Sequence, residues 1–268
     1  MYAALLVALT LSAQTRAPEE RTWTVEGQER KALVVSPSKK EGKPPLVFVF
    51  HGHGGTSRNV ARSFHIHTLW PEAVVVYPQG LPTPGLLTDP EGKRAGWQHS
   101  PGVKGDRDLK FFDAMLADLR KEYSVDESRV YSTGHSNGGG FTYLLGATRP
   151  GVFAALAPSA AGLGGARRAA GKPEPCALMH LAGRKDPLVK FAWQERSMQA
   201  VREINGCTDE SEPWGDDPRA RLYPSSKNAP FVAFIHDGTH QFPSEGPALI
   251  VRFFKEQVRP SAKPVKAD

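Results

Sequence analysis

Residues 130–140, VYSTGHSNGGG, decide the fold. A β-rich run over 130–133 is followed by Gly134-His135-Ser136-Asn137-Gly138 and then by an apolar helical pattern over 141–147. A strand, a G-x-S-x-G turn and a helix in this order form a nucleophile elbow. Such a turn is so tight that the residues two before and two after the serine must be small, and glycine occupies both positions. Ser136 is therefore predicted to be a nucleophile.

Apolar runs and helical patterns alternate on both sides of this elbow. Four more continuous apolar runs, typical of strands buried on both faces of a parallel sheet, lie at 46–50, 73–77, 177–181 and 231–235. Helical periodicity over 108–123, with weaker patterns over 191–205 and 247–258, lies between or after them. The alternation predicts an α/β protein. Together with the elbow it predicts the α/β-hydrolase fold, a mostly parallel central sheet with helices on both faces.

The chain is long enough for one large core, since 40% of its 268 residues are hydrophobic. We predict a signal peptide over 1–17, a single catalytic domain over 22–258 and a flexible tail over 259–268. The apolar run 3–11 is too short to span a bilayer but fits a secretory signal. No Lys or Arg precedes this run, and a buried N-terminal strand or helix is the alternative. The expected location is outside the cell or in the periplasm.

The charge of the chain is spread and its cysteines are few. The net charge is +6 at pH 7, but neither an arginine-rich helix nor a zinc-finger spacing occurs. No nucleic-acid partner and no stable membrane insertion are expected. Cys176 and Cys207 are the two cysteines. One disulfide is expected in an oxidising compartment, and two free buried thiols are the alternative.

Two further residues have the positions expected of a catalytic acid and base. In this fold the order along the chain is nucleophile, acid, base. Asp186 follows the predicted strand 177–181, and His240 follows the last predicted strand. Both would lie at carboxyl ends of strands, the edge where α/β sheets bind ligands. Asp237 is a rival for the acid, and His236 is more simply a core histidine.

An oxyanion hole needs two backbone N–H groups aimed at the developing negative charge. One candidate is the amide of Asn137, directly after the nucleophile. The other is expected in the glycine-rich segment 51–55, HGHGG, which follows the strand 46–50. Within it, His53 is the preferred donor and Gly54 the alternative.

The histidine spacing and the aromatic residues allow further predictions. His51-x-His53 and His65-x-His67, with His99, could suggest a metal centre, but no H-E-x-x-H motif or carboxylate-rich segment accompanies them. No metal and no cofactor are therefore expected.

The aperiodic stretch 81–105, rich in Pro and Gly, is the candidate for one wall of the substrate site. Whether it moves as a lid is left open. Trp97, Trp214 and Phe242 are the candidate substrate-binding aromatics, and ordinary core positions are the alternative.

Seven segments together resemble the polyhydroxybutyrate depolymerase and feruloyl esterase family. They are HGHGG at 51–55, Trp97 with Gly105-Asp106 and Asp108-Leu109, Val125-Asp126 with Arg129-Val130-Tyr131, GHSNGG at 134–139, FAALAP at 153–158, GRKDP at 183–187 and GTHQFP at 238–243. The resemblance covers roughly residues 32–254. It implies a secreted carboxylesterase with the same three catalytic residues, and a disulfide between a cysteine such as Cys207 and one upstream. Arg184-Lys185 and Gln241-Phe242 depart from the family pattern, which bears on the substrate.

The sequence thus predicts a secreted serine carboxylic-ester hydrolase that works through an acyl-enzyme. Its substrates would be feruloyl, acetyl or hydroxyalkanoate esters, small or oligomeric, derived from plant cell walls or polyesters. A serine peptidase or thioesterase on the same fold is one alternative. The other is a catalytically silent module that binds carbohydrate or polymer through the aromatics named above and Trp193.

Overall fold

The structure is a computed structural model and describes residues 16–39, 41–169 and 174–259. Most of the predicted signal peptide, and the tail from residue 260 onward, lie outside the described residues. Within these ranges, the helices are all too short or too polar to cross a bilayer.

Strands and helices alternate along the described chain. The strands are β1 (Glu19–Val25), β2 (Gln28–Val35), β3 (Leu46–Phe50), β4 (Val74–Pro78), β5 (Leu81–Pro82), β6 (Ala95–Gly96), β7 (Val130–His135), β8 (Ala155–Ser159), β9 (Ala177–Gly183), β10 (Glu212–Pro213), β11 (Ala220–Tyr223) and β12 (Phe231–His236). The helices are α1 (Ser57–Phe64), α2 (Ile66–Leu69), α3 (Arg107–Tyr123), α4 (Asn137–Thr148), α5 (Phe191–Asn205) and α6 (Gly246–Glu256), with 3₁₀ turns at Val103–Asp106 and Gly164–Arg168. The helices predicted over 108–123 and 191–205 agree with α3 and α5 to within one residue.

Ten of these strands form one sheet in the order β1-β2-β4-β3-β7-β8-β9-β12-β11-β10. The six central strands, from β4 to β12, are parallel, and antiparallel pairs flank them on both sides. This confirms the predicted α/β-hydrolase fold. Because parallel strands end at the same edge, the loops after β3, β7, β9 and β12 meet there.

The strand β3 shows how both faces of the sheet are buried. Leu46, Phe48 and Phe50 belong to the apolar cluster under α3, α4 and α5. Val47 and Val49 belong to the cluster under α1, α2 and α6. Burial of apolar surface stabilises the fold by roughly 25 cal/mol per Å². A continuous apolar run therefore predicts a strand that is buried on both faces of such a sheet. An alternating run would predict a strand with one solvated face.

The central strand β8 is not predicted by the sequence pattern. Its alanines and proline have low strand propensity, yet all five of its residues are buried between β7 and β9. The helix α4 packs closely on this strand, and glycines on the helix make the close approach possible. A Cβ on Gly139 would lie 2.7 Å from the Ser159 carbonyl oxygen, and one on Gly146 would lie 2.4 Å from Leu156 Cδ1. Tertiary packing makes this segment a strand.

Both cysteines are free thiols in the structure, which corrects the expectation of a disulfide between Cys176 and Cys207. Each Sγ atom lies against a backbone carbonyl oxygen. Their segments are joined through Asn205, whose side-chain amide accepts a hydrogen bond from the Cys176 N–H and donates one to the Cys176 carbonyl. Burial raises the pKa of the Cys176 thiol to about 12, so this group is inert as a nucleophile.

Candidate active site

The turn between β7 and α4 has the geometry of a nucleophile elbow. Ser136 has φ 56° and ψ −119°, a positive φ that costs a non-glycine residue roughly 1–3 kcal/mol. The flanking glycines leave no room for side chains. A Cβ on Gly134 would lie 2.6 Å from the backbone of Gly138, and one on Gly138 would lie 2.2 Å from the Phe50 carbonyl oxygen. Ser136 is thereby held at the carboxyl edge of the sheet, where it lines a cleft.

Three side chains far apart in the sequence form one hydrogen-bonded chain at this edge. His240 Nε2 lies 2.8 Å from Ser136 Oγ, and His240 Nδ1 lies 2.8 Å from Asp186 Oδ2. A carboxylate only accepts hydrogen bonds, so Nδ1 carries the imidazole proton and Nε2 has a free lone pair. The arrangement can therefore take the proton of the serine hydroxyl, the chemistry that activates a serine nucleophile.

The carboxyl group of Asp186 is held by several donors. Its side chain is fully buried. Oδ1 accepts hydrogen bonds from the backbone N–H groups of Leu188 and Val189, both at 2.9 Å, while Oδ2 faces His240. Two backbone donors thus hold Oδ1 on the side of the carboxylate away from His240.

The rival residues in the last loop occupy other places. The Asp237 side chain is 85% exposed and lies 3.7 Å from the Arg184 guanidinium. His236 is buried, and its Nδ1 accepts a hydrogen bond from the Gly238 N–H at 3.1 Å. The structure thus brings Asp186, and not Asp237, to His240.

The glycine-rich segment after β3 lies against the nucleophile. A Cβ on Gly52 would lie 3.5 Å from Ser136 Cβ. The buried His51 fixes this segment, since its Nδ1 donates to the Gly52 carbonyl at 2.8 Å and its Nε2 accepts from the Gly80 N–H at 2.9 Å. Burial lowers the pKa of His51 to about 4. The ring is therefore neutral near pH 7, as this pattern of one donor and one acceptor requires.

Two backbone amides, those of His53 and Asn137, remain as candidate oxyanion donors. Gly54, the alternative donor in the sequence prediction, is excluded because its N–H donates to the Ala95 carbonyl at 2.7 Å. His53 and Asn137 both line the cleft beside Ser136. Asn137 is the first residue of α4, so its N–H has no partner within the helix and lies at the positive end of the helix dipole.

The stretch 81–105 contributes residues 84–88 and His99 to the cleft. Its two ends pair as β5 and β6. In between, Asp89 accepts hydrogen bonds from the Arg94 and Lys93 N–H groups. The hydrogen bond from the Arg94 N–H contributes most to lowering the pKa of Asp89 to about 2, and the His53 ring and the Lys93 N–H add to it. His53 Nε2 lies 3.0 Å from Asp89 Oδ2. The carboxylate of Asp89 thereby joins this wall to the segment that carries the predicted oxyanion donor.

A cleft of about 710 Å³ opens above Ser136 and His240. Among the residues that the structure describes, five large apolar side chains are exposed, and four of them border this cleft. They are Leu86, Leu87, Leu188 and Trp193, with exposed fractions of 73%, 53%, 40% and 40%. Apolar side chains gathered around one concave site indicate a binding surface.

Trp97 does not contact the cleft, which corrects its prediction as a substrate-binding residue. Its indole is 1% exposed, packs against Phe50 and Phe141, and donates a hydrogen bond to the His51 carbonyl. Its backbone N–H and carbonyl bond the side-chain amide of Asn137 at 2.7 and 3.0 Å. Trp97 is therefore a core residue that supports the Ser136 turn through Asn137.

Trp214 and Phe242 are also absent from the residues that line the cleft. Trp214 is buried against Phe253, and its Nε1 donates to Glu256 at 2.9 Å, so it is a core residue under α6. Phe242 stacks on Phe64 with ring centroids 3.9 Å apart. It packs behind the loop that carries His240. Both predictions of substrate contact are wrong for the same reason: an aromatic residue in a sequence does not reveal which side of the fold it faces.

Three leucines that border the cleft are not predicted from the sequence. Leu86, Leu87 and Leu188 lie in loops, where hydrophobic periodicity carries no signal. The available hint was the Leu-Leu pair inside a Pro- and Gly-rich stretch, because such a loop cannot bury two adjacent apolar side chains easily.

Comparisons with known proteins relate the chain to esterases. The sequence model of the acetyl xylan esterase (AXE1) family matches residues 21–163. The chain is 28% identical over 198 residues to a probable feruloyl esterase C of Aspergillus clavatus, covering 73% of this chain and 69% of that protein. It is also 28% identical over 206 residues to a bifunctional acetylxylan esterase/xylanase of Neocallimastix patriciarum, covering 74% of this chain and 28% of that longer protein. These matches confirm the resemblance to feruloyl esterases.

Among solved structures, an acetyl xylan esterase from Aspergillus awamori superimposes with a TM-score of 0.68 at 14% sequence identity. The match covers 88% of this chain and 99% of that one. At this identity the likeness shows the fold.

Proposed function

Because the chain belongs to the acetyl xylan esterase family and is an ester-hydrolysing enzyme, we propose that it is a serine esterase with Ser136 as nucleophile. His240 is the general base, and Asp186 orients it. The observation that carries this proposal is the pair of 2.8 Å contacts from His240 to Ser136 Oγ and to Asp186 Oδ2.

The reaction proceeds in two acyl transfers. Ser136 Oγ attacks the ester carbonyl carbon while His240 Nε2 takes the hydroxyl proton, and the imidazolium then gives that proton to the leaving alcohol oxygen. Water attacks the acyl-enzyme with the same base, releases the acid and restores Ser136. In both steps the amides of His53 and Asn137 stabilise the oxyanion.

The apolar border of the cleft favours an aromatic acyl group over an acetyl group. An acetyl group fills a small part of a cleft of about 710 Å³. The flat ring of a hydroxycinnamoyl group can pack on Trp193 and the neighbouring leucines, as aromatic pairs do with centroids about 4.5–7 Å apart. We therefore propose feruloyl-type esters as substrates. Acetyl esters are the second candidate, because the matching family model and one relative are those of acetylxylan esterases.

This substrate preference is tested by Trp193→Ala. We expect kcat/KM for methyl ferulate to fall about tenfold, because an aromatic contact and its buried area are lost. Turnover of a 4-nitrophenyl acetate control should stay within about twofold, since an acetyl group does not reach the indole. Steady-state kinetics with both esters on the same preparation provide the measurement. An equal loss on both esters would contradict an acyl-binding role for Trp193.

The bond type is tested with an ester, a thioester and an amide that share one feruloyl group. The proposal predicts that the ester is the preferred substrate. A higher kcat/KM for the thioester or the amide would favour the thioesterase or peptidase alternative.

Secretion is part of the proposal and is supported by the apolar run at 3–11. Expression of the full chain in a host that exports it should yield a mature protein whose N-terminus lies near residue 14. Recovery of the intact chain inside the cell would contradict export.

A further inference from the structure

We propose that Gln194 is a positioning residue for Asp186, the catalytic acid. A buried chain of hydrogen bonds through His180 and Tyr143 fixes the orientation of the Gln194 side chain. This inference rests on the proposed role of Asp186. None of the three residues lines the cleft, so none of them is placed to touch substrate.

The contacts form an unbroken line beneath the site. Gln194 Nε2 lies 3.2 Å from Asp186 Oδ2, the same oxygen that faces His240, and 2.7 Å from the Val189 carbonyl oxygen. Gln194 Oε1 lies 3.1 Å from His180 Nε2, and His180 Nδ1 lies 2.7 Å from the Tyr143 hydroxyl. Gln194 and His180 are fully buried, and Tyr143 is 2% exposed. Polar groups buried this deeply are costly unless each has a partner.

The direction of every hydrogen bond in this line is determined. A flipped Gln194 amide would place Oε1 against a carbonyl oxygen and a carboxylate, so the NH₂ group must face Asp186. Oε1 then needs a donor, which makes His180 Nε2 the protonated nitrogen. Burial lowers the pKa of His180 to about 4. The ring is therefore neutral near pH 7, and its Nδ1 accepts the Tyr143 hydroxyl proton, which burial holds on the oxygen by raising the pKa of that phenol.

All three donors therefore point toward Asp186. Such a chain stabilises negative charge on Oδ2 and keeps the carboxylate in the plane that His240 needs, because aligned buried hydrogen bonds reinforce one another. The strand β9 supplies His180, α4 supplies Tyr143 and α5 supplies Gln194. Three separate elements are thus linked to Asp186 through this chain of hydrogen bonds.

The test is Gln194→Met, which keeps the length of the side chain and removes both hydrogen-bonding groups. The expected result is a fall in kcat of about 10- to 100-fold, the range for a hydrogen bond to a charged group, with KM within about twofold of the wild type. Rates are normalised to active sites titrated with a fluorophosphonate, so that a smaller folded fraction does not count as slower chemistry. Gln199→Met is the matched control, since Gln199 is exposed on the same helix and bonds Glu203.

An unchanged kcat per titrated site in Gln194→Met would overturn the inference, as would an equal loss in Gln199→Met. If Gln194→Met does not fold, Tyr143→Phe decides, because it removes one oxygen at the far end of the chain. A two- to fivefold fall in kcat at constant KM supports the inference, and an unchanged kcat overturns it. Loss of activity in Asp186→Asn without loss in these variants would leave the proposed function intact and refute this inference alone.

A second observation, the charge of the cleft, carries a separate inference. We infer that the substrate bears a carboxylate on the alcohol side of its ester, recognised by Arg167 and Arg196. Both arginines line the cleft, and no Asp or Glu is among the described residues that do so. Within the described part of the chain, neither guanidinium has a carboxylate partner; Arg196 uses its Nε to donate to the Ala192 carbonyl.

The two arginines belong to adjoining segments on one side of the cleft. Trp193, Arg196 and Ser197 are spaced i, i+3 and i+4 on α5, so they share one helix face. Ser197 Oγ accepts a hydrogen bond from the Leu163 N–H at 3.0 Å, which holds this face beside the 3₁₀ turn that carries Arg167. Two unpaired cations in a cleft without acids attract an anion. A hydroxycinnamoyl group is neutral, so the charge belongs to the alcohol half. This step rests on the proposed function.

A matched ester pair tests this inference, namely carboxymethyl ferulate and the neutral carbamoylmethyl ferulate. At low salt we expect kcat/KM to be about three- to tenfold higher for the carboxylate, the range for two exposed ion pairs. The preference should vanish in the double variant Arg167→Gln/Arg196→Gln and persist in Arg62→Gln, an exposed arginine on α1 outside the cleft. A ratio at or below one in the wild type would overturn the inference. Failure to hydrolyse either ester would instead contradict the proposed function.

Discussion

Ser136→Ala is expected to lower kcat for a feruloyl ester by about 10⁶-fold while KM stays within about twofold, as in serine enzymes that lose their nucleophile. The serine Oγ is the atom that forms the acyl bond, so no neighbouring group replaces it. The remaining rate reflects the oxyanion donors and substrate binding alone. Single-turnover and steady-state kinetics on the purified variant measure the effect.

Ser63→Ala is the control for this experiment, because Ser63 is an exposed serine on α1 that donates to the backbone of its own helix. It should behave as the wild type. A Ser136→Ala variant that keeps more than a few per cent of the wild-type kcat would show that the hydroxyl is not the nucleophile.

Asp186→Asn is expected to lower kcat by about 10⁴-fold, as in other triads. The structure gives a specific reason. The Leu188 and Val189 N–H groups still need an oxygen acceptor, so the side-chain oxygen of the variant stays at the position of Oδ1. The new NH₂ group therefore takes the place of Oδ2 and faces His240. A donor at that position forces the imidazole proton onto Nε2, and the ring then cannot accept the proton of Ser136. Activity assays over the pH range 5–9 provide the measurement.

Asp237→Asn is the matched control, since Asp237 lies three residues from His240 in the sequence and its side chain is 85% exposed. Its kcat should stay within about twofold of the wild type. Equal losses in the two variants would mean that the acid has been misassigned. A loss confined to Asp237→Asn would make that residue the partner of His240.

The sequence predicts the backbone of the site well because that part depends on local patterns. Gly134 and Gly138 are needed by a turn whose tightness is visible in the motif, and the structure shows that a Cβ at either position would meet backbone atoms. The chain order of nucleophile, acid and base, with the position of each after a strand, indicated the edge of the sheet where Asp186 and His240 lie. Buried parallel strands such as β3 also reveal themselves as continuous apolar runs.

The parts that were missed depend on contacts between distant segments. The strand β8 is buried between β7 and β9 and packs against α4, and no local propensity reveals these contacts. Trp97 and Trp214 look like binding residues in the sequence, and packing decides that they are core. Gln194 is an ordinary helix residue by pattern, and its contact with Asp186 exists only because α5 and β9 are neighbours in the fold.

The central claim is that Ser136 forms the covalent acyl intermediate with the help of His240. Labelling of the wild-type enzyme with a fluorophosphonate, followed by intact mass measurement and peptide mapping, tests it most directly. The account predicts one adduct per chain, located on Ser136 and accompanied by complete loss of esterase activity. An adduct on another residue, or full labelling with activity retained, would contradict it.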